Sequence, residues 1–355
     1  MKVRSLVSAF AWALVAAALA HTRIVAQPPQ RIEIARKDPA PKLWTPSLMH
    51  DGHPDLQGNW VNRSATPLER PKQLQGRRFL TDAEVAELRK RADRLFKDPR
   101  NDFAQVFGRD DVFLAALENR EQYKNPNTTG SADEMVPFEF DNRTSLLIDP
   151  ADGRLPDYTP AGQRRWTALQ AAAVMLNPAA SAKDLTSIQR CITWGVPMPR
   201  PGPYTSYYQI LQSPGYVVVV MEAIQGARII PLHRRQHLPQ NMRAWNGDSI
   251  GRWEGQTLVV DTANFSSQSN FLGSAENLHL IERFTRVAPD EIRYQITIDD
   301  ATTWTKPWTA VLRLKQTPEK LYEFACHEGN FPVMQGMLLG ARAQENASKE
   351  AAAKR

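Results

Sequence analysis

Cysteine is scarce here, with two in 355 residues, and neither a paired C-x-x-C nor an H-E-x-x-H is present, so the usual spacings of a zinc site are missing. No glycine-rich phosphate loop or dinucleotide fingerprint follows any predicted strand, and we expect no nucleotide cofactor. Beyond residue 20 no apolar run approaches the roughly 20 residues that cross a bilayer as a helix, so no membrane span is expected. Charge of one sign is lacking too, since 44 Lys and Arg face 38 Asp and Glu. The most basic stretch, Arg89 to Arg100, is broken by Asp93 and Asp98 and lacks an interleaved aromatic stripe, which argues against a nucleic-acid partner. With 42% apolar residues, a real core is expected and disorder is excluded for most of the chain.

What is present begins with Lys2 and Arg4, followed by the apolar and small-residue run Leu6 to Ala20 and the cleavage-like Ala18-Leu19-Ala20. This reads as a secretory signal cut after Ala20, with the mature protein periplasmic or secreted. A run of about 15 residues is short for a span, so an uncleaved anchor is the lesser alternative. Loss of Lys2 and Arg4 lowers the net charge from +6 to +4. In an oxidising compartment Cys191 and Cys326 are expected to form a disulfide, against two separate buried thiols.

Residues 21–57, rich in proline, should run extended, and residues 58–340 should form one β-rich domain, helical and looped over 58–200. The capping box Thr81/Glu84 with Val85, Leu88, Leu95 and Phe96 predicts a helix over 82–97. Further helices are expected near Asp111 to Asn119 and from Pro160 to the stop at Asn177-Pro178. From 204 to 328 short β-branched and aromatic runs alternate with turn residues. They predict strands near 204–212, 216–223, 227–232, 249–254, 257–263, 278–287, 291–299, 308–315 and 321–327. The fold class is therefore mainly β: an antiparallel meander closing into a barrel or strongly curved sheet, with N-terminal helices and loops. Residues 341–355 read as a polar, helix-prone tail.

Period-two alternation gives each strand two faces. Ile292, Tyr294, Ile296 and Ile298 share a core face, as do Trp308, Ala310, Leu312 and Leu314, and then Tyr322, Phe324 and Cys326. Extending these phases points three carboxylates inward: Glu222 with Tyr216, Val218 and Val220, Glu282 with Leu280 and Phe284, and Glu328. Desolvated carboxylates suit proton transfer, so Glu282 and Glu328, with His279 and His327 as partners, are the catalytic candidates, against glutamates merely paired with Arg228, Arg283 or Arg342. Ligand-binding candidates are Glu222, Asp248, Arg252, Trp253, Trp304 and Trp308. The last two flank the turn Thr305-Lys306-Pro307, where they could stack a ring at a barrel mouth or simply fill a core. Gly247-Asp248-Ser249-Ile250-Gly251 matches G-x-S-x-G, but no strand precedes Ser249 and no helix follows, so a serine hydrolase is a minor reading. His233 and His237 are bracketed by Pro231 and Pro239, and we expect no metal there.

The runs Arg243-Ala244-Trp245-Asn246-Gly247-Asp248-Ser249, Gly251-Arg252-Trp253-Glu254-Gly255, Thr257-Leu258-Val259-Val260 and Ala325-Cys326-His327-Glu328-Gly329-Asn330 resemble a large group of exported bacterial β-rich proteins. Pro54-Asp55-Leu56 with Gly58 and Trp60, and Arg143-Thr144-Ser145, are similar to its other signatures. The resemblance implies export and a shared fold and brings no chemistry. Gly58-x-Trp60 is also similar to the G-x-W opening of lipocalin-type barrels, which implies a calycin-like architecture. The expectation is a binder of a small organic ligand in a barrel interior or mouth, with cofactor-free acid/base chemistry if it is an enzyme. A non-catalytic carrier and an envelope interaction module are the alternatives, and the oligomeric state is left open.

Overall fold

Alternation of apolar and polar side chains from Tyr207 onward favours strands that bury one face. In the computed structural model, which describes residues 44–97, 110–121, 138–172, 181–197, 206–269 and 271–353, that alternation yields β3 (Tyr207–Ser213), β4 (Tyr216–Met221), β5 (Ala227–Pro231), β6 (Asp248–Glu254), β7 (Thr257–Ala263), β8 (His279–Ala288), β9 (Glu291–Asp299) and β10 (Trp308–Gln316). Two short strands precede them, β1 (Gly58–Asn62) and β2 (Leu147–Asp149). The expected signal, the extended segment as far as residue 43 and the helix stop at Asn177-Pro178 lie outside the described residues.

Antiparallel ladders join the strands in the order β5-β4-β3-β1-β10-β9-β8-β7-β6, with β2 beside the first half of β10. Read as a ring this is chain order, an up-and-down barrel of nine strands. An odd number of alternating strands cannot close antiparallel, so β5 and β6 meet running the same way. Arg228 accordingly reaches Ser249, and Ile230 lies against Gly251. Among the described residues no ladder joins β5 to β6, and the sheet is nearly closed. Parallel neighbours need a crossover of a dozen or more residues, and residues 232–247 supply it. Gly251 makes the seam possible, because a Cβ there would sit 2.7 Å from Leu232 Cδ2 and 2.8 Å from Ile230 Cγ2.

The register places Trp60 beside Tyr208, and Leu258, Phe284, Tyr294 and Leu312 in one row across four strands. Together with Ile210, Val219, Val260 and Ile296 these side chains are at most 4% exposed, and Phe284 stacks on Tyr294 at 4.5 Å between centroids. The interior is filled by side chains, as in a small barrel whose taper is packed. At the end where β1 begins, Leu56 is a plug. Its N–H donates to Gln212 Oε1 at 2.6 Å and its carbonyl accepts from Trp60 Nε1 at 2.9 Å, while Arg286 Nη1 holds the carbonyl of Asp55 at 2.7 Å.

The helices are α1 (Asp82–Lys97), α2 (Asp110–Leu117), α3 (Pro160–Ala172) and α4 (Cys326–Ala353). The capping box forms as expected: Thr81 N–H donates to Glu84 Oε2 at 2.8 Å, and Glu84 N–H to Thr81 Oγ1 at 3.3 Å. Leu88, Leu95, Val112 and Phe113 make a second core between α1 and α2.

Two sequence expectations are overturned. Residues 321–327 form no strand, because β10 already has β9 along one edge and β1 with β2 along the other, so a further strand has nothing to pair with. The chain instead enters α4 at Cys326, and Tyr322 is 75% exposed. In β4 the buried residues are Val217, Val219 and Met221 rather than Tyr216, Val218 and Val220. An unbroken valine run carries no period-two signal, and a slip of one residue exchanges the faces. The disulfide is present, joining Cys191 to Cys326 across 135 residues. It fits an oxidising compartment, and no helix among the described residues is long and apolar enough to cross a membrane.

Candidate functional site

Three polar assemblies surround the seam. The first is inside. Glu282, on the inward face of β8, is fully buried and accepts from Arg228 Nη1 at 2.9 Å and from the Tyr294 hydroxyl at 2.6 Å, with Arg228 Nη2 on its other oxygen. Arg228 Nη2 also donates to Ser249 Oγ at 3.1 Å and Thr262 Oγ1 at 3.2 Å. One guanidinium from β5 thus laces together β6, β7 and β8 where the backbone ladder is absent. Burial opposes the charge of Arg228, but the Glu282 carboxylate outweighs it and raises its pKa above the ordinary arginine value. Burial, and then the charge of Glu282, push the Tyr294 phenol well above its usual range. Both oxygens of Glu282 are engaged, and the pair spans the seam from the inside.

The second assembly lies on the outer face, where alternation places Asp248, Asp261 and His279. The crossover lies over them. Arg234 makes a two-pronged bond to Asp248, 2.9 Å on each prong. His237 bridges Asp248 Oδ2 at 3.0 Å and Asp261 Oδ1 at 2.9 Å, and His279 Nε2 meets the same Asp261 oxygen at 2.9 Å. The Leu238 N–H adds a bond to Asp248 at 2.9 Å. Burial alone would raise both carboxyls, yet Arg234, the Leu238 N–H and His237 hold Asp248 below the ordinary carboxylate range, and His279 and His237 do so for Asp261. The hydrogen bond to Asp261 raises His279 above the usual imidazole value. Among the described residues no three His, Cys, Asp or Glu side chains are arranged to hold a metal ion.

The third assembly is an open cleft of about 390 Å³ at the rim, beside the Leu56 plug, lined by Asp51, His53, Leu232, His233, Arg235, Arg252 and Trp253 with Gly215. His53 lies flat on Trp253, centroids 4.8 Å apart and planes within 5°. Gly215, at φ +79°, turns β3 into β4 and leaves His233 Nδ1 3.8 Å from where a Cβ would be. His233 in turn meets the edge of the Tyr216 ring at 5.3 Å. The crossover supplies His233 and Arg235 to the cleft while its intervening residue, Arg234, and then His237 are pinned to the outer face. The second assembly therefore positions the third.

Of the residues singled out from sequence, Arg252 and Trp253 line this cleft. Asp248 anchors the crossover beside it. Glu282 and His279 face opposite sides of β8, and His327 and Glu328 are exposed on α4, so the four catalytic candidates do not converge. Glu222 follows the end of β4 and is nearly buried, where it accepts the Tyr322 N–H at 3.2 Å. Burial raises its pKa against that bond. Trp304 and Trp308 are in the core, 1% and 0% exposed, covered by Tyr158 and Phe271, so neither ring stands at a mouth. Ser249 is a partner of Arg228 and Thr262 inside the barrel. His53 and Arg235 were not anticipated, since both stand in loops without periodic pattern.

No family model and no curated protein matches the chain. Among solved structures, an asparagine-to-alanine variant of the fluorescent protein UnaG aligns at 13% identity with a TM-score of 0.22, over 38% of this chain and 87% of that one.

Proposed function

We propose that this is an exported binding protein that holds a small organic ligand in the rim cleft between β5, β6 and the β3–β4 turn. The observation that carries the reading is the cleft itself. Its volume of about 390 Å³ falls in the range of small-molecule sites, roughly 300–1,000 Å³, and it joins a flat stacked pair to several polar groups. Of the two places expected for the ligand, interior or mouth, the rim is favoured, because Trp60, Tyr208, Phe284 and Tyr294 already fill the interior.

Export is supported by the signal-like residues 1–20 and by the Cys191–Cys326 disulfide, and it agrees with the resemblance to exported β-rich proteins. Acid/base catalysis is not carried forward. Glu282 is buried with both oxygens engaged by Arg228 and Tyr294, and Glu328 stands apart on α4.

The test is a ligand-observed NMR screen of small aromatic and aliphatic fragments on the non-reduced protein, repeated with Trp253→Leu. Fragments that bind the parent and are lost in the variant support the reading. Fragments that bind both equally place the site elsewhere and overturn it.

A further inference from the structure

Resting on that reading, we infer that the cleft selects a planar anion: an aromatic ring bearing a carboxylate or a group of like charge. Two features of the lining converge on this chemistry. The first is the stacking pair. The His53 imidazole covers Trp253 in parallel at 4.8 Å, which shows that the indole face accepts a flat ring at van der Waals distance. A ligand ring can extend that stack or replace the imidazole on it.

The second is charge. Arg235 and Arg252 line the cleft, and among its lining residues Asp51 is the one carboxylate. Arg252 is already paired with Glu254, its Nε at 2.9 Å and its Nη2 at 2.7 Å from Oε1. Arg235 differs: among the described residues it has no hydrogen-bond or ion-pair partner, so its guanidinium is available to a bound anion. Its backbone is not free to drift, because Arg234 and His237 on either side are tied to Asp248 and Asp261. The backbone beside Arg235 is held while its exposed guanidinium is unengaged, and arginine matches the planar, two-oxygen geometry of a carboxylate. A neutral ring would use the stack alone, and an inorganic anion the arginine alone. The planar anion uses both.

The experiment is isothermal titration of the purified, non-reduced protein with naphthalene-2-carboxylate, its neutral carboxamide and inorganic sulfate. The carboxylate is expected to bind about ten-fold or more tightly than the carboxamide, in line with a hydrogen bond to a charged group, and sulfate more weakly than either. Arg235→Ala, which removes no hydrogen bond or ion pair among the described residues, should abolish the difference between carboxylate and carboxamide without changing the melting temperature. Asp51→Asn keeps an acceptor for the His53 N–H, which it now receives at 3.1 Å, and removes the opposing charge. It should tighten the carboxylate several-fold and leave the carboxamide unchanged.

Equal binding of carboxylate and carboxamide, or indifference to both substitutions, overturns the anion selectivity while leaving the cleft as a binding site. Sulfate binding as tightly as the carboxylate overturns the planar requirement. Absence of binding by either naphthalene probe at millimolar concentration overturns the cleft itself.

Discussion

Replacing Arg228 by methionine removes a side chain whose hydrogen bonds cross the unladdered seam. The substitution leaves the Glu282 carboxylate fully buried with, among the described residues, the Tyr294 hydroxyl at 2.6 Å as its one remaining partner. Breaking a buried ion pair from one side costs about 3–5 kcal/mol, since the surviving charge stays desolvated. Ser249 and Thr262 lose a donor but keep each other at 2.9 Å, so they add little. The double variant Arg228→Met, Glu282→Leu removes both charges and leaves the Tyr294 hydroxyl without its acceptor, a cost of about 1–3 kcal/mol. Adding Tyr294→Phe should return the protein close to parental stability, because apolar replacement of a whole buried network is often neutral. Urea unfolding under non-reducing conditions, with midpoints compared at constant slope, reads the series. A single variant within 1 kcal/mol of the parent, or a double variant as unstable as the sum of the two singles, would refute the idea that this pair holds the seam.

Other consequences follow from the same geometry. Gly251→Ala should cost about 1–3 kcal/mol through overpacking at the 2.7 Å approach to Leu232, and Leu232→Ala should relieve much of it; an additive pair of losses in the unfolding midpoint contradicts the close contact. Reduction of Cys191–Cys326 opens a closure of 135 residues, worth up to about 5 kcal/mol in the chain-entropy model. It should speed tryptic cleavage at Arg342, and unchanged digestion would show that α4 is held without it. His279 has a raised pKa in the folded state, so its contribution is complete below the unfolded value of 6.5 and is lost as pH rises through the folded one. Asp248 and Asp261 are lowered, so theirs is present above 3.8 and is lost as pH falls through their folded values. Unfolding midpoints should therefore plateau between these limits, and His279→Gln should flatten the alkaline side.

Much of the barrel was readable residue by residue. The alternation through Leu280, Glu282 and Phe284, then Ile292 to Ile298, then Trp308 to Leu314, gives the observed inward faces because each strand mixes polar and apolar side chains. Thr81 and Glu84 announce α1 through a local capping exchange that needs no tertiary context. Where the signal is uniform or non-local, pattern fails. The Val217–Val220 run cannot reveal its phase. The five-residue β1 is surrounded by proline and loop residues, yet it takes the place beside β10 that residues 321–327 were expected to occupy. That competition for an edge is a three-dimensional fact. So is the cleft, which joins Asp51 and His53 to a turn near Gly215, a crossover and the end of β6. Only Arg252 and Trp253 stood in a strand whose pattern drew attention to them.

The central claim, that ligand binds at the rim and not inside the barrel, is tested most directly by amide and indole chemical-shift mapping during titration with naphthalene-2-carboxylate. The account predicts perturbations centred on His53, Gly215, Arg235, Arg252 and the Trp253 indole, with the inward residues Tyr294, Ile296 and Trp60 unmoved. Shifts concentrated on those inward residues, with the rim silent, would contradict it.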